Sequence, residues 1–150
     1  MIERGDDFYM GLALQQAYLA LEEEEIPVGA VVVCDGRVIA KAHNQTLKLN
    51  DPTAHAEMLA ITSATNHLDS RYLNECTLYV TLEPCCMCAG ACHWAMFGRI
   101  VYGASDETRG YRQFSEQITH KRTQISAGIR QNECEELLSQ FFDKLRDKRK

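Results

Sequence analysis

Two short stretches carry side chains that could do chemistry together: His55-Ala56-Glu57 and Pro84-Cys85-Cys86-Met87-Cys88. One imidazole and two thiolates, Cys85 and Cys88, with two residues between them, are donors suited to a single tetrahedral zinc ion. Three protein donors leave a fourth position for water, the catalytic arrangement, whereas structural zinc is normally closed by four side chains. Such a water has its pKa brought down toward about 7. The Glu57 carboxylate is placed beside it to take a proton and pass it on. Other readings stay open on the residues alone. Cys86, Cys92 or His93 could close the site, although on a helix Cys86 should point about 100° away from Cys85. Cys85 and Cys88 could form a redox pair, and Glu57 could be a surface carboxylate in a helix's first turn.

The surrounding pattern supplies elements to position these groups. Residues 8–24 carry apolar side chains at 10, 13, 14, 17, 18 and 21, a helical spacing ended by Pro27 and Gly29. Residues 29–34 are β-branched and continuous, a buried strand. Asp35-Gly36 is a hairpin turn, after which 37–43 return antiparallel. Residues 44–52 are polar loop. Thr53 or a neighbour caps a helix running to about His67, with Met58, Ile61, Ala64 and Leu68 on one face. Residues 76–82 form a third strand. Pro84 suits the first turn of a helix reaching about Phe97. Residues 99–103 form a fourth strand, 105–122 a long surface loop, 124–126 a weak fifth strand, and 132–146 a terminal helix with Cys134, Leu137, Leu138, Phe141 and Phe142 apolar. Strands alternating with helices after an opening hairpin predict an α/β domain spanning 1–150, its mixed sheet covered on both faces. If the two ligand-bearing helices follow parallel strands, their N-termini face each other at one sheet edge.

Composition narrows the class. The chain has 150 residues, enough to bury a core. No apolar run approaches the ~20 residues of a membrane span, and the acidic start lacks the plan of a signal peptide, so a cytoplasmic protein is expected. Seven Cys, four of them within eight residues, suit a metal site in a reducing compartment better than a disulfide framework. Cys34, Cys76 and Cys134 are expected in the core. Net charge is −5, which argues against non-specific coating of nucleic acid. Acidic residues concentrate early, in 22–25. Basic ones concentrate late, at Arg109, Arg112, Lys121, Arg122, Lys144, Arg146, Lys148, Arg149 and Lys150. That asymmetry allows selective binding of a compact nucleic acid, or reflects nothing more than a solvated helix end.

His-x-Glu followed by Pro-Cys-x-x-Cys resembles the zinc-dependent nucleobase deaminase signature. Residues 26–33, 50–57, 78–85, 87–91, 98–104 and 133–142 extend the likeness over nearly the whole chain, toward the bacterial tRNA-specific adenosine deaminases. The resemblance implies a three-layer α/β/α cytidine-deaminase-like fold with a five-stranded mixed sheet, and a homodimer. It implies one zinc per chain held by His55, Cys85 and Cys88, and Glu57 as proton carrier. The implied reaction is deamination of the wobble adenosine to inosine in a tRNA anticodon stem-loop. By position it implies substrate contacts from Asn44, the Ala56 backbone, Val28, Pro84, Asp106, Phe142 and Arg146. Asn44 has the donor and acceptor that reading a base edge requires, or else caps a turn. Of the adjacent Phe141 and Phe142, one can face the core and the other can stack on a base.

The chain departs from the family pattern after Asp106. Where the family runs Lys-Thr-Gly and then small residues, this sequence has Glu107-Thr108-Arg109-Gly110-Tyr111-Arg112-Gln113-Phe114. Tyr111, Arg112 and Phe114 could form a substitute stacking surface or close the pocket. A second reading therefore stands: a deaminase of a free base or nucleoside such as guanine, cytosine or cytidine. A third is a non-catalytic module with a closed zinc site, or with Glu57 turned away.

Overall fold

The computed structural model describes residues 3–149; Met1 and Ile2 of the acidic start and Lys150 of the basic tail lie outside the described residues. Among these the order is α1 (Asp6–Glu22), β1 (Gly29–Cys34), β2 (Arg37–His43), α2 (Ala56–Leu68), β3 (Cys76–Leu82), α3 (Cys86–Ala95), β4 (Arg99–Ala104), β5 (Gln124–Ala127) and α4 (Gln131–Lys148). Short 3-10 turns at Tyr111–Gln113 and Glu116–Ile118 punctuate the long loop before β5.

The sheet order is β2-β1-β3-β4-β5. β1 is antiparallel to both β2 and β3, while β3, β4 and β5 are mutually parallel. It follows that β2 and β3 run the same way. The loops leaving β2, β3 and β4 therefore open on one sheet edge, beside the residues entering β1. The chain enters β2 through Asp35 and Gly36, both at positive φ (53° and 72°), the backbone that a two-residue hairpin requires.

Strand residues alternate between two cores. Ala30, Val32, Leu78, Val80, Ile100 and Tyr102 pack beneath α2 and α3. Val31, Val33, Tyr79 and Val101 pack beneath α1 and α4. Both faces are covered, so the central strands β1, β3 and β4 read as largely apolar runs, while the edge strands β2 and β5 carry exposed polar residues. This is the three-layer α/β/α arrangement with a five-stranded mixed sheet.

Several local expectations shift. α1 starts at Asp6, and Tyr18 is exposed while Tyr9 and Ala20 take buried places. His55, not Thr53, is the N-cap of α2; the Thr53 amide and hydroxyl both donate to Asp51 Oδ1 at 2.8 Å. The buried stripe of α2 is Ala56, Ala60 and Ala64, because a close approach to the sheet admits only small side chains; Leu68 is exposed. α3 stops at Ala95, where Met96 adopts a left-handed cap (φ 59°), so Phe97 is a buried residue beyond the helix. Tyr111, in the expected surface loop, is buried against the α2/α3 core. Cys76 and Cys134 are buried as expected, and Cys34 is half-buried.

α1 is tied to the sheet by a charged contact across the chain. Asp6 accepts from both Arg99 nitrogens at 2.7 Å and from the Tyr79 hydroxyl at 2.7 Å. The Arg99 hydrogen bonds, with help from Tyr79, hold the Asp6 carboxyl below its ordinary value. A depressed folded pKa stabilises above the unfolded value of about 3.9, and the contribution is lost as pH falls through the folded value. Asp6→Asn should lower Tm at pH 7 by about 2–4 °C, as expected for about 1 kcal/mol from a partly exposed pair. The gap to the parent should close in melts below pH 4. A gap independent of pH would remove the charge from this account.

Candidate active site

The two ligand stretches meet where the topology brings them. α2 follows β2 and α3 follows β3, and these strands run the same way, so both helices start at the same edge. His55 and Cys85 are the N-cap residues of α2 and α3, each with extended backbone. Glu57 is the second residue of α2 and Cys88 the third of α3. Four potentially anionic or metal-binding groups therefore sit at two positive helix ends, where free amides and dipoles favour negative charge.

His55 Nδ1 lies 3.7 Å from Cys85 Sγ and 3.5 Å from Cys88 Sγ. The three donor atoms all fall within 4.8 Å of one another. Zinc–nitrogen bonds of about 2.0–2.1 Å and zinc–sulfur bonds of about 2.3 Å, set at tetrahedral angles, separate N from S by about 3.6 Å. The donor set thus fits zinc in both chemistry and spacing. The cluster contains no fourth donor among the described residues. Cys86 is exposed, Cys92 packs in the α2/α3 core, and His93 Nδ1 is engaged with the Ile118 carbonyl at 3.0 Å. The closed four-ligand arrangement is not formed; the three-donor one is.

The local electrostatics follow from this crowding. The Cys85 thiol is pushed down to about 4, first by its hydrogen bond from Cys88 and also by His55, against the opposing effect of burial. Cys88 is pushed up by the same shared hydrogen bond and by burial. The His55 imidazole is pushed up, chiefly by its hydrogen bond to Cys85 and against the opposing effect of burial. Burial pushes Glu57 up to about 7, so a carboxyl 4% exposed can hold or release a proton near neutrality.

A cavity of about 530 Å³ opens over this cluster. Val28, Asn44, His55, Glu57 and Cys85 line its buried end, and Asp106 and Phe142 lie on its wall. Asn44 does two jobs. Its Oδ1 accepts from the Ala56 amide at 2.7 Å, which leaves its NH2 as the remaining side-chain polar group. The capping reading of Asn44 is met, and the residue also lines the cavity. The Ala56 amide is engaged by Asn44, and Ala56 itself is fully buried outside the cavity wall. Pro84 is also buried off the wall, with its carbonyl accepting from the Tyr111 amide at 2.9 Å. Asp106 Oδ1 accepts from Thr108 and Arg109 within its own loop. Phe142 is 42% exposed while Phe141 is half-buried. Arg146 lies off the wall and pairs with Asp143.

Composition hid some of the structure. Part of the late basic excess is paired: Arg112 with Glu83, Arg146 with Asp143, and Lys148 with Glu24 from the far end of the chain. Two buried carboxylates that sequence reasoning passed over organise the cavity walls. Glu25 accepts from Thr46 Oγ1 and from the Leu47 and Lys48 amides, fixing the loop after Asn44. Glu83 does the same for the loop after β4. The available signal was a charged residue abutting an otherwise apolar strand, beside Leu82 and Pro84.

Comparison with known proteins agrees with this geometry. Residues 3–104 match the family described as the cytidine and deoxycytidylate deaminase zinc-binding region. A tRNA-specific adenosine deaminase of Aquifex aeolicus is 41% identical over 148 residues, covering 95% of this chain and 97% of its own. A solved chain from a study of A-to-I editing by tRNA:A34 deaminases at the wobble position is 44% identical with a TM-score of 0.82, covering 87% of this chain and 99% of that one. The guanine deaminase of Bacillus subtilis is 38% identical with a TM-score of 0.65, covering 68% of this chain and 66% of that one. The chain belongs to the zinc-dependent deaminase family that the zinc-binding region defines, and to its tRNA-specific adenosine deaminase branch.

Proposed function

We propose that this protein hydrolytically deaminates the wobble adenosine of a tRNA anticodon stem-loop to inosine, as a cytoplasmic homodimer in which residues 1–150 form one deaminase domain. One observation carries the choice of substrate. The likeness to a tRNA-specific adenosine deaminase continues past residue 104, where the family region ends, into α4, since it covers 95% of the chain. That helix contributes Leu138 and the half-exposed Phe142 to the cavity wall. The guanine deaminase of Bacillus subtilis is matched over a smaller part of the chain, 68%, and a guanine deaminase that spans 94% of it is only 23% identical, a likeness of fold alone.

His55, Cys85 and Cys88 would hold zinc, which when bound supplies the Lewis acid that makes water a nucleophile near neutral pH. The chain's own work is proton handling and orientation. Glu57 takes the proton that water loses as its oxygen bonds to C6 of the purine, and delivers it to N1. It then carries the second proton to the departing amine, so one C–O bond forms, one C–N bond breaks, and ammonia leaves. Asn44, held by the Ala56 amide, offers its NH2 to an acceptor on the base. Phe142 offers a face on which a base of the splayed loop can stack.

The test is a panel: an adenosine-wobble anticodon stem-loop, free guanine, cytosine and cytidine, each with one zinc-loaded preparation. Inosine should form in the stem-loop alone, with binding that weakens steeply as salt rises, because phosphate contacts release counterions. Turnover of guanine with a flat salt response would transfer the assignment to the free-base reading.

A further inference from the structure

We infer that Glu83 and Arg112 form a clamp that positions the 106–112 loop, and through it the substrate-facing wall of the cavity. Glu83 stands between the last residue of β3 and Pro84, two residues from the ligand Cys85, and its side chain is 0% exposed. Its Oε1 accepts from the Asp106 amide at 3.1 Å and its Oε2 from the Arg112 amide at 3.1 Å. These two amides belong to the opposite ends of the loop, so one carboxylate fixes both. The Arg112 guanidinium then donates to Glu83 Oε1 at 3.1 Å and to Ser105 Oγ at 3.1 Å, while its carbon lies 5.7 Å from the Tyr102 ring centre. The same loop is stitched to the ligand segment by the Cys85–Gly110 bridge and by the Tyr111 amide on the Pro84 carbonyl. Gly110 is needed because a Cβ there would overlap the Glu83 carboxylate.

Arg112 is off the wall of the cavity over His55, whereas Asp106, Glu107, Thr108 and Arg109, the residues its clamp encloses, line it. Arg112 is thus a positioning residue that acts through Glu83. The charge is required because a buried carboxylate without a cation beside it is costly. The guanidinium is favoured because one Nη2 donates to both Glu83 and Ser105 while the planar group lies by the Tyr102 ring, a set that an ammonium on a flexible stem meets less well. Arg112 stands in the stretch where the sequence departs from the family pattern it otherwise resembles. The inference rests on the deaminase reading of the cavity and not on which substrate fills it.

The experiment uses zinc-loaded parent, Arg112→Met, Arg112→Lys, Glu83→Gln and the Glu83→Gln/Arg112→Met pair. Parent turnover of the stem-loop decides the substrate reading; the clamp is judged only on variant-to-parent ratios, taken on the stem-loop or, if the parent ignores it, on guanine. Arg112→Met should raise KM about 10-fold, as loss of a charged hydrogen-bonding pair does, with kcat within about twofold and one zinc retained per chain. Arg112→Lys should fall between parent and Arg112→Met. In the Glu83→Gln background, Arg112→Met should change KM by less than about twofold. The clamp is overturned by an unchanged KM in Arg112→Met, by joint loss of kcat and zinc, or by an undiminished effect of Arg112→Met beside Glu83→Gln.

Discussion

Replacing Glu57 with glutamine should lower kcat by about 10²–10⁴-fold, the range that general acid–base catalysis contributes, with zinc content and stem-loop affinity kept. The side chain lines the cavity beside His55 and Cys85 but is outside the three-donor cluster, so its loss removes no metal bond. Glutamine fills the same volume and can still hydrogen-bond, which separates proton transfer from packing. A carboxyl raised to about 7 by burial is half-protonated near neutrality, as a group that must both accept and donate within one turnover requires. In the proposed mechanism each proton delivered to N1 and to the amine passes through Glu57. The nearest titratable groups, His55, Cys85 and Cys88, are engaged with one another. Single-turnover kinetics with enzyme in excess would isolate the chemical step. Retention of full single-turnover rate in Glu57→Gln would sink the mechanism, whereas loss confined to KM would reassign Glu57 to substrate binding.

How much of this could be read beforehand depended on the range of the interactions involved. The metal donors were legible because their chemistry is local: two thiolates about one helical turn apart, opening a helix after Pro84. That His55 faces them was legible one step later, from the parallel sense of β2 and β3, and the topology bears it out. Strand bounds came through cleanly where β-branched runs met sharp turns, as at Gly29–Cys34 and Cys76–Leu82. The faces of α1 and α2 came through less well. Hydrophobicity suggested Tyr18 and Leu68 for the core, but close packing on the sheet selected Ala20, Ala56 and Ala60 beside the expected Ala64. Least legible were contacts between residues far apart in sequence and unremarkable in type. Nothing in Glu83 or Arg112 taken singly says that they meet across 29 residues. Nor did the charge runs announce that Glu25 is buried under the loop after Asn44 while Glu24, beside it, pairs with Lys148 on the surface.

Stripping the metal should abolish deamination without unfolding the chain. The two cores are closed by side chains from the helices and strands, and His55, Cys85 and Cys88 belong to neither cluster. The fold therefore has its own support, unlike small domains that collapse only around zinc. Binding to the folded state still stabilises it: with free zinc at about 100 times its dissociation constant the gain is about 2.7 kcal/mol, or about 5–10 °C in Tm. Dialysis against a chelator should thus give an inactive protein with unchanged far-UV circular dichroism and a Tm lower by that amount. Added zinc should restore both activity and Tm. Cys88→Ala should imitate the stripped enzyme, weakening zinc by more than the about 10–100-fold that loss of an outer hydrogen-bond partner costs. Cys86→Ala should behave as parent, since Cys86 is exposed and outside the cluster. The contrast between Cys86 and Cys88 bears directly on the ligand set. Zinc loss in Cys86→Ala, or stoichiometric zinc in Cys88→Ala, would show that the thiolates holding the metal are not the pair that the helix N-terminus presents to His55.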